Sequence, residues 1–128
     1  MPVVTLVCGG ALALLMTLLG INVTRVRMQL KTYVDPAAPP KRLYVAVRAH
    51  GNLTEWGPML VVLMLIIESA GGSKSLLWGA GLTLLVGRVL HAIGLLTRVR
   101  VAPVGSAVTW GIALWFGVWA VWQGVNAL

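Results

Sequence analysis

Arg48, Asn52 and Glu55 stand four and three positions apart, with His50 between the first two, and Arg88 and His91 form a second set three apart. If both runs are helical, at about 100° per residue, Arg48, Asn52 and Glu55 fall within about 60° of one another on one stripe. His50 points away from that stripe and reads as helix packing or an interfacial hydrogen bond. Arg88 and His91 share a face of their own helix. Guanidinium groups take carboxylates, a carboxylate takes an ammonium, and an asparagine takes peptide groups, so the set suits a zwitterionic ligand. The bland alternative is a structural ion pair that fixes helix register. Cys8 is the one cysteine in the chain. It excludes a disulfide framework and a cysteine-based metal site within one chain, and reads as a small buried hydrophobe.

The elements that must position these residues lie in a membrane. Hydrophobic residues make up 59% of the 128 and charged residues 10%, with a mean hydropathy of +0.91, against about a quarter charged in soluble domains. A water-soluble globule is excluded. A spanning helix takes about 20 apolar residues. Residues 1–24 and 101–128 hold no charged side chain, and 43–69 and 76–97 are apolar runs interrupted by the ionisable residues above. The chain reads as one all-α domain, 1–128, a bundle of four spanning helices over about 3–27, 43–69, 76–97 and 105–126. Pro36, Pro39 and Pro40 break the first connection, AGGSKS (70–75) makes a tight second turn, and Pro103 suits the start of the fourth helix.

Charge sets the orientation. Arg25, Arg27, Lys31, Lys41, Arg42, Arg98 and Arg100 flank the first and third connections, and Lys74 alone the second. The positive-inside rule puts loops 1 and 3 in the cytoplasm and both termini on the other side. Trp78, Trp119 and Trp122 then fall at the outer interface, and Tyr33, Tyr44 and Trp110 at the inner one. The net charge of +7 serves that orientation rather than nucleic-acid binding. No basic n-region precedes the first helix, so no cleavable signal is expected. The sequons at Asn22 and Asn52 lie in or beside spans and are read as chance.

Each charge at bilayer centre costs about 2.5–3.5 kcal/mol, so Arg48, Glu55 and Arg88 unpaired would cost roughly 8–10 kcal/mol together. Partners are required. Depth-matching two antiparallel helices from their cytoplasmic ends sets Arg88 level with Asn52 and Glu55, which predicts an Arg88–Glu55 pair. His91 is expected to hydrogen-bond Arg88, and Glu68, near the outer end of helix 2, to be solvated or snorkelling. Pro58 frees the Thr54 carbonyl and makes a kink or a packing feature. Ala107/Gly111 and Ala120/Gly124 have the small-xxx-small spacing of close helix packing.

The run Arg48-Ala49-His50-Gly51-Asn52-Leu53-Thr54-Glu55, with Pro58 after it, resembles the helix 2 signature RxHxNxxE of the MAPEG family, the membrane-associated proteins of eicosanoid and glutathione metabolism. Gly87-Arg88-Val89-Leu90-His91 is similar to that family's GRxxH on helix 3. Arg25-Val26-Arg27 resembles its basic pair closing helix 1, and Val108-Thr109-Trp110 its TW-like start to helix 4. The resemblance covers nearly the whole chain, and its compactness is most similar to the short bacterial branch of microsomal glutathione transferase type. It implies an inner-membrane homotrimer that binds glutathione, as cosubstrate, between neighbouring subunits near the cytoplasmic side. The family's glutathione contacts map onto Arg25, Arg48, Asn52, Glu55, Arg88 and His91. For the arginine that stabilises the glutathione thiolate, Arg100 is the first candidate and Arg98 the second, while Gly105 occupies another alignment position. An aromatic residue that follows GRxxH by four positions in many members is Leu95 here.

The resemblance implies a transferase or peroxidase that conjugates or reduces lipophilic electrophiles drawn from the membrane lipids. The alternative is a non-catalytic protein of the same fold that binds a lipid or a partner. A small multidrug transporter, of similar length and helix number, carries its coupling carboxylate in helix 1, and helix 1 here has no acid. The acceptor, and glutathione against another low-molecular-weight thiol, are left open by the sequence.

Overall fold

The computed structural model describes residues 1–33, 37–97 and 99–128, and every element among them is an α-helix: α1 (Val3–Leu30), α2 (Lys41–Ser69), α3 (Lys74–Thr97) and α4 (Ala102–Asn126). Each is long and apolar enough to cross a membrane. Local chemistry sets the ends. α1 stops where Lys31 turns left-handed at φ 51°, and Thr32 N–H closes back on the Arg27 carbonyl at 3.0 Å. α2 begins directly after Pro40, whose carbonyl accepts from Leu43 and Tyr44 N–H. Gly71, at φ +81°, makes the turn into α3. Pro103 sits in the first turn of α4, where no donor is needed. Despite Pro58, α2 is continuous, and that ring lies at a groove of about 320 Å³ between α1 and α2.

The two middle helices form the centre. α1 packs on α2 and α3, α4 packs on α3 and α2, and α1 and α4 do not touch among the described residues. Leu53, Leu60, Met64, Leu77, Leu84 and Phe116 fill the core with Cys8, which is buried as expected of a small hydrophobe. The surface, 7652 Å², exceeds the roughly 6,600 Å² of a soluble monomer of this mass. Much of it is large and apolar, Leu14, Leu114 and Val121 among the most exposed, as suits a protein whose solvent is lipid.

Two expectations are corrected at this level. The close approach of α3 and α4 runs through Gly87, Gly94 and Gly105, not through Gly111 or Gly124. A Cβ at Gly87 would sit 2.7 Å from Val108 Cγ1, one at Gly94 would strike Ala102, and one at Gly105 would strike the Gly87 carbonyl and His91, whereas Gly111 and Gly124 face open space. Glu68, in turn, is neither solvated nor snorkelling. It is buried, and its carboxylate accepts from Val4 N–H (3.0 Å), Thr5 N–H (2.8 Å) and the Thr5 hydroxyl (2.7 Å). The reason is that α1 starts after Pro2 with no side-chain cap of its own. Its orphan N–H groups need an acceptor, and the antiparallel end of α2 supplies one.

Candidate functional site

The stripe predicted on α2 is present, and the residues divide it into an exposed pair and a buried anchor. Arg48 Nη1 lies 3.5 Å from Glu55 Oε1, with the two side chains 47% and 54% exposed. They are seven residues apart, about 10 Å along the axis, and their long side chains close that distance. Half-buried Asn52 lies between them in sequence, and its Oδ1 accepts from Arg88 Nη2 of α3 at 2.7 Å. Arg88 is only 2% exposed. Its Nη1 donates to Thr109 Oγ1 of α4 at 3.2 Å, and the Thr109 hydroxyl donates to the Gly105 carbonyl one turn earlier at 2.8 Å. Arg88 Nε has no acceptor among the described residues.

The expected Arg88–Glu55 pair is therefore corrected. Arg88 does meet Asn52 at the matched depth, but Thr109 takes the other arm of the guanidinium. Glu55 pairs along its own helix with Arg48 instead. The buried cation is held by two neutral oxygens, and the carboxylate stays at the surface.

His91 is also corrected. Its Nδ1 lies 3.0 Å from the Ala102 carbonyl and 3.1 Å from Ser106 Oγ, so it ties α3 to the start of α4 rather than to Arg88. A carbonyl only accepts, so the contact with Ala102 is a hydrogen bond in the tautomer that carries the proton on Nδ1, and the contact with Ser106 can be made in either. His50 lies off the stripe as expected, facing Gly20 of α1, with Nδ1 unpaired among the described residues.

Of the other candidates, Arg25 is exposed on α1 beside Ile21, Thr24 and Met28, and Arg100 is exposed in the connection before α4. Among the described residues neither is hydrogen-bonded to the cluster. Arg98 lies outside the described residues. The fold thus joins Arg48 to Glu55 and Asn52 to Arg88 while leaving Arg25, Arg100 and His91 apart. Gly105, the alternative position for a thiol-activating arginine, has no room for a Cβ. Leu95 is half-buried against the core.

Thr109 and Ser106 are the polar residues that spacing did not pick out as site members. A signal for Thr109 existed. Arg88 is nine residues before the end of α3 and Thr109 seven after the start of α4, so the depth reckoning applied to α2 and α3 carries across the next loop.

The chain matches the model of the MAPEG family over residues 5–122. Among curated proteins it is similar to Inner membrane protein YecN of Escherichia coli strain K12, 36% identical over 100 residues that cover 77% of this chain and 75% of that protein. The protein of the same name from Escherichia coli O6:H1 matches to the same extent.

Proposed function

The chain belongs to the MAPEG family, and from that premise we propose that it is a membrane-bound, glutathione-dependent transferase or peroxidase acting on lipophilic electrophiles. The observation that carries this reading is the half-exposed Arg48–Glu55 pair inside a helix long enough to span a membrane. Lipid does not solvate ions, so at that depth the pair belongs to a polar pocket. A tripeptide with two carboxylates and an ammonium matches it: Arg48 for a carboxylate, Glu55 for the ammonium, Asn52 for a peptide group.

In this reading the protomers form a homotrimer in the inner membrane, where the name of the relative places YecN. Loops 1 and 3 are cytoplasmic, and glutathione lies between subunits with Arg25 contributing from α1. His91 and Arg88 shape the pocket from behind. A free thiol titrates near pH 8.5, and an adjacent guanidinium favours the thiolate; Arg100 is assigned that role, with Arg98 second. The thiolate sulfur then attacks an electrophilic carbon, forming a C–S bond as the leaving group departs or the acceptor takes up a proton. With a peroxide, sulfur takes the terminal oxygen as the O–O bond breaks and the alkoxide is protonated. A second glutathione then yields the disulfide and water.

Calorimetry of the detergent-solubilised protein with glutathione and S-methylglutathione tests the reading. Saturable binding is expected, lost in Arg48→Ala and weakened at least tenfold in Glu55→Gln. No binding to the unaltered protein at millimolar thiol would overturn it. One observation favours a second reading, a non-catalytic lipid- or partner-binding protein: half-buried Leu95 packs against the core where many members of the family offer an aromatic residue. Ligand binding without turnover of any electrophile or lipid peroxide would select it.

A further inference from the structure

Each bond around Arg88 can point only one way. A guanidinium carries donors and no acceptor, so it is Asn52 Oδ1, not Nδ2, that faces Arg88 at 2.7 Å. The Thr109 hydroxyl has one proton and gives it to the Gly105 carbonyl at 2.8 Å, so only lone pairs face Arg88 Nη1. The sequence of bonds thus begins at a backbone carbonyl of α4, crosses α3 and ends on a side chain of α2. Thr109 is 1% exposed and Arg88 2%, so water does not compete for either. Asn52 keeps one hand free: among the described residues Nδ2 has no hydrogen-bond partner, and it is not fully buried.

We propose that Thr109 is a positioning residue of the pocket, which through Arg88 fixes Asn52 as a hydrogen-bond donor and so restricts the ligand group at that point to an acceptor oxygen. The chemistry selected at Nδ2 is a peptide carbonyl or a carboxylate, since a ligand N–H placed there would meet a second donor. This rests on the glutathione reading for the ligand, but the polarity of the relay does not.

Substitutions at two positions separate the terms. Thr109→Val keeps the volume and removes the acceptor that orients Arg88, and Thr109→Ser restores it. Asn52→Asp keeps an acceptor for Arg88 but turns an oxygen toward the ligand in place of Nδ2. Glutathione binding is measured by calorimetry, and the Asn52 side-chain amide is followed by nitrogen-15 NMR in detergent. With three asparagines and two glutamines in the chain, that resonance pair is identified by its loss in Asn52→Asp. Thr109→Val should weaken glutathione about tenfold, the worth of one hydrogen bond, and shift the Asn52 amide; Thr109→Ser should reverse both. Asn52→Asp should stay folded and lose at least tenfold in affinity.

An Asn52 amide unmoved by Thr109→Val overturns the relay, as does Asn52→Asp binding as tightly as the unaltered protein. If the unaltered protein binds no glutathione, the functional reading fails while the amide resonance still decides the relay. Should Thr109→Val not fold, Thr109→Ala, which removes the same acceptor without adding a methyl group, is read by the same shift of the Asn52 amide.

Discussion

Glu68 shows what a single residue does when its partner is remote in sequence. Its carboxylate takes two backbone N–H groups and a hydroxyl from the first turn of α1, at 2.7 to 3.0 Å. Hydrogen bonds to a charged acceptor contribute about 1.5–3 kcal/mol each, and lost partners leave buried donors unmet. Glu68→Ala should therefore destabilise the fold by roughly 2–4 kcal/mol, read as a lower midpoint of thermal unfolding in detergent. An unchanged midpoint would show that the cap contributes nothing. Residues such as Arg48, Asn52 and Glu55 were legible because helical periodicity relates near neighbours. The Glu68–Thr5 contact, 63 positions apart, has no periodicity to betray it. Arg88 falls between the two cases: its depth could be counted, but its choice of Asn52 and Thr109 over Glu55 depends on which side of α3 each neighbour occupies.

Among the elements, the contact of α3 with α4 is set by the absence of side chains. Gly105 lies against the Gly87 carbonyl and His91, and Gly94 against Ala102. Gly105→Ala should cost about 1–3 kcal/mol, as overpacking does, and should displace His91 from Ser106. Gly111→Ala, which meets nothing within 4 Å, should be neutral or slightly stabilising by helix propensity. Parallel unfolding curves of the two variants check this, and equal effects would refute the distinction. The glycine of GRxxH gains a steric reason here, since a Cβ on Gly87 would press on Val108. Four helices were legible from hydropathy because lipid demands about 20 apolar residues per span. The contact glycines were not, because 15 glycines supply small-residue spacings on every face, and only the tertiary arrangement shows which face meets a neighbour.

At the scale of the molecule, the proposed trimer and orientation are both open to measurement. A half-exposed ion pair at membrane depth calls for a neighbour, so light scattering in detergent should return three times the 13.6 kDa protomer, after subtraction of bound detergent. A protomer mass would refute it. Cys8 is 1% exposed and should stay silent to a membrane-impermeant maleimide. Against that background Lys31→Cys and Arg100→Cys should be labelled only in inverted vesicles, and Lys74→Cys only from the outer side; the reverse pattern would invert the topology. The Glu68 cap bears on how such a molecule is made. The residue that completes the first turn of α1 lies 64 positions after Val4, so α1 is synthesised before the acceptor of its first N–H groups exists. They find that acceptor only once the far end of α2 has been made and lies beside them. Biogenesis of this protein should therefore proceed by the hairpin: the first span becomes a finished piece of structure only when the second arrives beside it.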